Sequence, residues 1–388
     1  KRQVIISALG HITHSGENGG TVIDAGTQTA RYDALGELYT YFDDDWPRQA
    51  VYTSLTITDN GTTGGPAVIR AEGYDLNNPA MEVSTEYSLA DGDRYLTLTT
   101  WVTGGGSIQP DFELGDAFQW GSCNRYAPGY GWNVYGTTTQ AWIAGQNPDV
   151  CYAYAGIYGD NFGPHGNGWS DLSVTTETLD PAIPVSYTRY LSVAGGDIGA
   201  AVSILNEALG VPTGTLICNV RSQADGSPLA GATVEIFDGS GSPYLPTTVN
   251  ASGQTLTSLP EGDWRVLAKA TGYIQEESWT TIYEGATQAL DFMLEPTTGG
   301  GGEAIGDTLT VIQGPLVNIP AILTPGQTLE INCAADPATT GWQAEISLDN
   351  LVVNLTLDSA AYDPSTEWWT LSATMPPVGI FDLYDLKV

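Results

Sequence analysis

The sequence has few cationic side chains. Among its 388 residues, 12 are Lys or Arg and 45 are Asp or Glu, which gives a formal net charge of −33 at pH 7. Because so few cations cannot form a basic patch that follows a phosphate backbone, we exclude nucleic acid as a partner. An anionic lipid surface is excluded for the same reason. Such acidity suits salt-rich surroundings, in which screening weakens the repulsion between carboxylates.

Long apolar runs are also missing. No run approaches the ~20 residues that a helix needs to span a bilayer, so no membrane span is expected. The chain begins with Lys1, Arg2 and Gln3 and continues as the strand-like run 4–7, which differs from the charged and then apolar pattern of a signal peptide. We therefore expect a mature protein that has lost its signal peptide and is secreted or held at the cell surface.

Cysteine is scarce, with four residues. Cys123 and Cys151 lie in one region rich in Gly and Tyr, and we predict a disulfide between them that would contribute about 3 kcal/mol. Cys218 and Cys333 each occupy an inward position of an alternating segment, so we expect buried thiols there. No Cys-x-x-Cys motif or Cys/His cluster indicates a structural zinc site.

The chain has only three histidines, His11, His14 and His165. Together they could supply three nitrogen ligands to a metal ion, although a His-x-x-His pair without an accompanying Glu is a weak signal. Alternatively, His165 could act as an acid beside Asp160 or Asp171 as a base, which is the pair that a sugar-converting enzyme needs. No Gly-x-Ser-x-Gly elbow, phosphate loop or dinucleotide fingerprint is present.

Two acidic turns are candidates for Ca²⁺, since carboxylate oxygens are the ligands that this ion prefers. One contains Asp91 and Asp93, and the other is the Asp run 43–45. Neither has the spacing of an EF-hand, and a solvated turn is the competing interpretation of each. The sequence identifies no certain cofactor, and calcium is the candidate that these turns suggest.

Segments of alternating polarity make up most of the chain. In 214–294, apolar residues recur at every second position between turns of Gly, Pro or Asp, as expected of half-buried strands. Near 197–209 the period becomes that of a helix, which Asp197 would cap and Gly210 would end. The sequence therefore predicts an all-β protein of tandem antiparallel β-sandwiches with one short helix.

Changes in composition divide the chain into four segments. Strands at 51–57, 67–72, 81–89, 95–102 and 185–193 place a large sandwich in the first of these, in which the Gly- and Tyr-rich stretch 103–184 reads as long loops. The four segments are a large sandwich (1–212), a second sandwich (213–296), a Gly-rich linker (297–303) and a small sandwich that is either complete or cut short (304–388).

Three parts of the chain resemble known families. Pro228-Leu-Ala-Gly-Ala and Leu259-Pro-Glu-Gly-Asp-Trp resemble the carboxypeptidase regulatory-like domain, a seven-stranded transthyretin-like sandwich that is accessory in the proteins that carry it. Leu89-Ala-Asp-Gly-Asp-Arg-Tyr-Leu and Arg189-Tyr-Leu-Ser-Val-Ala-Gly-Gly-Asp are similar to the N-terminal region of some secreted bacterial metallohydrolases, which implies a galactose-mutarotase-like supersandwich.

The last segment is similar to the sandwich that precedes the catalytic domain of some secreted calcineurin-like phosphoesterases. The likeness lies in Leu323-Thr-Pro-Gly-Gln-Thr-Leu-Glu-Ile and in the ending that starts at Gly379. The Asp-x-His, Gly-Asp and Gly-Asn-His motifs that hold two metals in that family are not present as an ordered set in this sequence. If the chain comes from such an enzyme, these residues are its accessory part.

Aromatic residues are concentrated in the stretch 103–184. Flat rings with polar edges suit sugar stacking or an adhesive contact, and we predict Trp120, Trp132 and Trp142 as the exposed platform. For most of the rings in this stretch we favour the alternative interpretation, that they fill the core of the large sandwich and brace its loops.

Together these observations predict a secreted, noncatalytic, modular protein that acts as a surface, adhesive or filament-forming component. Its expected partners are further copies of itself, other cell-surface proteins or a polysaccharide, because exposed sheet edges allow strand addition and the rings allow glycan contact. Two alternatives remain: an accessory N-terminal portion of a secreted metal-dependent phosphoesterase, and a carbohydrate-active enzyme built on the first segment.

Overall fold

The structure is a computed structural model. It describes residues 2–10, 12–13, 16–17, 19–27, 34–43, 45, 48–132, 138–156, 160–164, 169–296, 328–333, 344–348, 351–355, 357–363, 368–374 and 385–387. The chain forms two compact units, Lys1–Pro296 and Thr297–Val388. The predicted linker 297–303 lies outside the described residues.

The first unit begins with a large sandwich of strands. In chain order they are β1 (Arg2–Ile6), β2 (Ile12–Thr13), β3 (Gly16–Glu17), β4 (Val22–Thr27), β5 (Glu37–Phe42), β6 (Ala50–Asn60), β7 (Ala67–Asp75), β8 (Asn78–Leu89), β9 (Tyr95–Val102), β10 (Gln109–Gln119), β11 (Asn124–Ala127), β12 (Gly131–Trp132), β13 (Thr138–Gln140), β14 (Ile143–Gln146), β15 (Cys151–Gly156), β16 (Asp160–Pro164), β17 (Trp169–Leu179) and β18 (Val185–Ala194).

Two large antiparallel sheets form this sandwich. One has seven strands in the order β1-β4-β5-β10-β17-β16-β13, and the other has nine in the order β12-β11-β14-β15-β18-β9-β8-β7-β6. Their inner faces enclose one apolar cluster that includes Leu38, Leu98, Phe118 and Leu191. The all-β prediction is confirmed, and the five strands predicted in 1–102 and 185–193 are present, β9 with the predicted bounds and the other four slightly longer.

The described part of the stretch 103–184 contains strands β10–β17, and most of it is strand rather than long loops. The expectation was wrong because a strand that is buried on both faces lacks the alternation of polar and apolar residues. All six residues of β15 are buried. Tyr152 and Tyr154 pack between the two sheets, whereas Ala153 and Ala155 face a second cluster on the outer side of the nine-stranded sheet.

A buried ion pair joins the two sheets. Arg189 on β18 binds Asp116 on β10 through two bonds, Nε to Oδ2 at 2.5 Å and Nη2 to Oδ1 at 2.7 Å. Tyr154 donates its hydroxyl to Asp116 Oδ2 at 2.6 Å, and Arg189 also donates to the hydroxyls of Thr100 and Thr40. Burial alone would lower the pKa of Arg189, but the negative charge of Asp116 outweighs that and raises the pKa above its ordinary value.

The predicted helix is present as α1 (Ile198–Leu209). Gly210 ends it in the left-handed conformation with φ 65°, as expected. The cap prediction was wrong: the side chain of Asp197 makes no capping hydrogen bond, and the backbone N–H of Ile198 donates instead to Gln146 Oε1 at 3.0 Å. No helix among the described residues is long and apolar enough to cross a membrane.

A second sandwich completes the first unit. Its strands are β19 (Thr213–Ser222), β20 (Thr233–Asp238), β21 (Pro243–Thr248), β22 (Gln254–Pro260), β23 (Gly262–Lys269), β24 (Glu276–Ile282) and β25 (Thr287–Leu294), in sheets of order β22-β19-β25 and β21-β20-β23-β24. β19 and β25 pair in parallel, contrary to the expectation of antiparallel sheets. Residues 223–286, which run through the other five strands of this sandwich, separate β19 from β25, and this connection is long enough to permit parallel pairing.

The second unit contains six described strands. They are β26 (Thr328–Cys333), β27 (Ala344–Leu348), β28 (Leu351–Leu355), β29 (Leu357–Asp363), β30 (Trp368–Thr374) and β31 (Asp385–Lys387), in sheets of order β26-β30-β29 and β28-β27-β31.

Removing one partner of the buried ion pair should destabilise the protein strongly. We expect Arg189→Met to lower the free energy of unfolding by about 3–5 kcal/mol, because Asp116 would stay buried without its counter-charge. The matched control is Arg94→Met, whose ion pair with Glu207 is exposed and should contribute at most about 1 kcal/mol. Urea unfolding followed by far-UV circular dichroism measures both.

A double variant separates the cost of the orphaned charge from loss of packing. Arg189→Met combined with Asp116→Leu should recover most of the lost stability, since no buried charge remains. Equal losses in the single and double variants would show that side-chain volume, and not charge, governs this position.

Candidate binding surfaces

Two of the three tryptophans predicted as an exposed platform are buried. Trp120 is 0% and Trp142 is 1% exposed, whereas Trp132 is 41% exposed. The Trp120 ring stacks on Phe118 with centroids 3.7 Å apart, and its Nε1 donates to Ser170 Oγ at 2.9 Å. Trp120 is therefore a core residue of the large sandwich, and the platform prediction was wrong for it and for Trp142.

Trp142 belongs to a chain of rings that crosses from the first sandwich to the second. Centroid distances are 5.2 Å from Trp132 to Tyr126, 6.0 Å from Tyr126 to Trp142, 5.7 Å from Trp142 to Tyr244 and 4.6 Å from Tyr244 to Trp264. Aromatic contacts of this kind stabilise beyond the area that they bury. These rings thus join the two sandwiches: Tyr126, Trp142 and Trp264 are buried, Tyr244 is half-buried and Trp132 is exposed.

Polar contacts reinforce the same junction. Asp197 Oδ2 accepts hydrogen bonds from Thr247 Oγ1 at 2.8 Å and from the backbone N–H of Thr248 at 2.6 Å. In addition, Ser203 Oγ on α1 accepts a bond from the backbone N–H of Ser258 at 3.2 Å. Helix α1 contacts β21 and β22 of the second sandwich as well as β15 and β18 of the first.

The predicted disulfide between Cys123 and Cys151, both within the described part of the chain, does not form. Cys123 packs in the cluster between the two large sheets, whereas Cys151 packs in the cluster around α1. The Cys151 thiol donates to the backbone oxygens of Asp197 at 2.9 Å and Ala194 at 3.4 Å. Shared composition had suggested the pairing, but the two side chains belong to clusters on different faces of the sheet.

Burial controls the reactivity of two thiols. Desolvation raises the pKa of Cys151 to about 12, with a further increase from the charge of Asp197. Desolvation alone raises the pKa of Cys218 to about 12. Because the thiolate is the nucleophile, both side chains are inert at neutral pH.

The structure does not test the predicted histidine ligands. His11, His14 and His165 lie outside the described part of the chain, so a metal at these imidazoles stays a prediction. Elsewhere in the described chain, no group of three or more His, Cys, Asp or Glu side chains could hold a metal ion. The acid–base pairing of His165 with Asp160 or Asp171 is untested for the same reason.

The two acidic turns have local partners. Asp93 Oδ2 accepts a bond from the backbone N–H of Ala90 at 3.3 Å, which closes the turn that also carries Asp91. In the other turn, Asp43 has φ 56° and accepts bonds from the backbone N–H of Glu113 and from Arg48 Nη1. Calcium at either turn stays a prediction.

The structure reveals a groove that sequence reasoning missed. It has a volume of about 670 Å³ and lies on the outer face of strands β6–β9. The register of the strands sets Trp101 opposite Ser84, and Ser84 opposite Glu72. The sequence contained one signal: Trp101 is a large aromatic residue at an outward position of β9, next to the inward, buried Val102.

Charged and aromatic side chains line this groove. The Arg70 guanidinium lies 5.9 Å from the centroid of the Trp101 ring, and it contacts Glu72 at 3.1 Å and Glu86 at 3.5 Å. The full lining is Thr53, Arg70, Glu72, Gly73, Tyr74, Pro79, Glu82, Val83, Ser84, Trp101, Thr103 and Pro184. We refer to it as the Trp101 groove.

Substitution of the buried Trp142 at the junction should lower the free energy of unfolding far more than substitution of the exposed Trp132. We expect Trp142→Ala to lower the free energy of unfolding by about 3–5 kcal/mol, because it leaves a cavity between the sandwiches. Trp132→Ala, at the exposed end of the same chain of rings, should cost about 1 kcal/mol or less. Equal losses in urea unfolding would contradict the assignment of Trp142 to the junction.

Alkylation offers a test of the thiol assignments. At pH 8 and without reductant, iodoacetamide should leave Cys151 and Cys218 unmodified in the folded protein, because a pKa of about 12 keeps each thiolate fraction near ~10⁻⁴. Both should react fully in urea. Peptide mass spectrometry reads the result, and resistance of Cys151 to alkylation in urea without reductant would reveal a disulfide instead.

Comparison with known proteins identifies one part of the chain. Residues 215–295 match the carboxypeptidase regulatory-like domain, so the second sandwich belongs to that domain family. A search of curated proteins finds no match.

Solved structures similar to this chain include three glycoside hydrolases. One is the GH36 alpha-galactosidase AgaA of Geobacillus stearothermophilus, with 12% identity over 45% of this chain and 32% of that chain and a TM-score of 0.31. The second is a glycosyl hydrolase family 38 protein of Enterococcus faecalis, with 10% identity over 54% of this chain and 31% of that chain and a TM-score of 0.37. The third is a bacterial glucoamylase complexed with acarbose, with 10% identity over 54% of this chain and 36% of that chain and a TM-score of 0.37. The matched region spans about a third of each of those chains. The comparisons therefore assign a family to one segment, residues 215–295, which are a carboxypeptidase regulatory-like domain.

Proposed function

We propose that this chain is a noncatalytic module of a secreted surface protein, in which it acts as a structural and adhesive component. The observation that carries the proposal is the junction between the two sandwiches. Helix α1, the rings of Tyr126, Trp142 and Tyr244, and the bonds to Asp197 unite 1–296 as one compact unit. A large buried junction of this kind suits a part that transmits load, whereas a hinge between domains would have a small and polar interface.

The buried ionisable groups of the first sandwich support the same role. Asp116 and Arg189 are 1% and 0% exposed, and both are engaged by partners across the two sheets. A catalytic acid or base must reach substrate, and these two groups face only protein. They act as structural links between the sheets.

Self-association through a sheet edge is the route to a surface assembly that we propose. Strand β6 is 11 residues long and ends the nine-stranded sheet, where it pairs with β7 alone among the described strands of that sheet. Within the described part of the chain no strand pairs with its outer side, so a strand from a second copy can pair with the backbone groups there. Ile57 on this strand is 69% exposed.

Charge opposes such assembly until salt screens it. Copies with a formal charge of −33 repel one another, and the Debye length falls from about 30 Å at 0.01 M salt to about 3 Å at 1 M. We expect sedimentation velocity to show monomers at 0.01 M salt and larger species at 1 M, with electron micrographs showing fibres or chains. Monomers at every salt concentration would refute self-association.

A matched pair of variants tests whether β6 forms the contact. Ile57→Lys places a charge on the edge strand and should abolish the assembly that forms at 1 M salt. Ile108→Lys changes an equally apolar residue, 65% exposed and outside any strand, and should assemble like the unmodified protein. An equal loss in both variants would mean that the added charge, and not the edge, is responsible.

A further inference from the structure

The Trp101 groove has the composition of a binding surface. Trp101 is half-buried at its floor, and Tyr74 and two prolines, Pro79 and Pro184, add apolar lining. Most outward positions of β7–β9 carry Thr, Ser or Glu instead, so an aromatic ring recessed in a groove is the exception on this face of the sheet. A ring recessed among hydrogen-bonding groups is the arrangement that orients a ligand with both a flat apolar face and polar edges.

An unsatisfied hydroxyl lies beneath the same surface. Ser84 Oγ is buried and has no hydrogen-bond partner within the described structure, although Ser84 lies opposite Trp101 in the sheet. A buried hydroxyl without a partner costs free energy, so Ser84 gains from a side-chain rotation that brings its Oγ to a ligand hydroxyl in the groove. Glu82, which is exposed on the same strand, adds carboxylate oxygens that accept bonds from hydroxyl groups.

The charges in the groove restrict the class of ligand. Three carboxylates, those of Glu72, Glu82 and Glu86, lie in or beside it, and the net charge of the whole chain is strongly negative. Among the described residues of the lining, Arg70 is the one cation, and it is already paired with Glu72 and Glu86. Anionic ligands are therefore repelled, and a ligand rich in neutral hydroxyl groups is favoured.

We infer that the Trp101 groove binds a neutral carbohydrate chain, one sugar ring of which stacks on Trp101 while its hydroxyls bond to Glu82 and Ser84. The volume of about 670 Å³ falls within the range of small-ligand sites and admits a short oligosaccharide. This inference deepens the adhesive part of the proposed function by naming its ligand class. It does not depend on self-association through β6.

The test uses the 388-residue chain as a monomer at low salt, so that failure of self-association cannot affect it. Isothermal titration calorimetry and affinity electrophoresis would be run with cellohexaose, maltohexaose, mannohexaose and xylohexaose as neutral probes, and with an oligogalacturonate as the anionic probe. We expect binding of at least one neutral probe and none of the anionic one. Absence of binding to all four neutral probes at 5 mM, or tighter binding of oligogalacturonate, would overturn the inference.

Variants locate the site. Trp101→Ala should weaken binding at least about ten-fold, the change expected when a central aromatic contact is removed. The control is Trp279→Ala, which removes a ring that is 54% exposed on the second sandwich and should leave binding unchanged. Equal weakening by both variants, or none by Trp101→Ala, would place the carbohydrate elsewhere.

Conservative variants keep the test valid if Trp101→Ala fails to fold. Trp101→Phe retains a flat ring and should bind more weakly than the unmodified protein but more tightly than Trp101→Ala. Glu82→Gln changes an exposed carboxylate to an amide of the same shape. It should reduce affinity for the carbohydrate about three- to ten-fold, because one charge-assisted hydrogen bond is lost. Unchanged affinity in both Trp101→Phe and Glu82→Gln would contradict the assignment.

Discussion

The buried ion pair between Arg189 and Asp116 constrains the large sandwich more than any other contact. Its two groups lie on strands of different sheets, so the pair forms only when β18 and β10 face each other at one relative position. A shift of either strand by one residue would turn its charge to the other face of its sheet and leave the partner buried alone. The pair thus favours one alignment of the sheets, beyond what apolar packing specifies.

The second constraint is the junction around α1, which depends on small side chains. Ala153, Ala155 and Ala194 on the outer face of the nine-stranded sheet let the helix approach closely, and the helix in turn presents Leu205 and its neighbours to the cluster shared with the second sandwich. Asp197 bonds to the second sandwich instead of capping its own helix, and Gln146 supplies the cap. One helix therefore closes two domains, which explains why contacts do not divide 1–296.

Sequence reasoning succeeded where one face of a strand meets water and failed where both faces are buried. The strands β6–β9 and the whole second sandwich alternate clearly, and their positions were predicted. In contrast, β15 has six buried residues, and its Gly- and Tyr-rich surroundings were interpreted as loops. The same error placed Trp120 and Trp142 at the surface and joined Cys123 to Cys151. The sequence shows that these rings and thiols lie in one stretch of the chain, but the face of the sheet on which each one lies is known only from the fold.

The Trp101 groove shows how these constraints bear on binding. Neighbouring residues of β8 and β9 point to opposite faces, so Thr85 and Thr100 belong to the buried network of Arg189 while Ser84 and Trp101 line the groove. The inner bonds hold β8 and β9 in register and thereby fix the spacing of the outer side chains. A groove built on locked strands loses little conformational entropy when a ligand binds. Hence the polar core contributes to recognition on the opposite face of the same sheet, although none of its residues contacts the ligand.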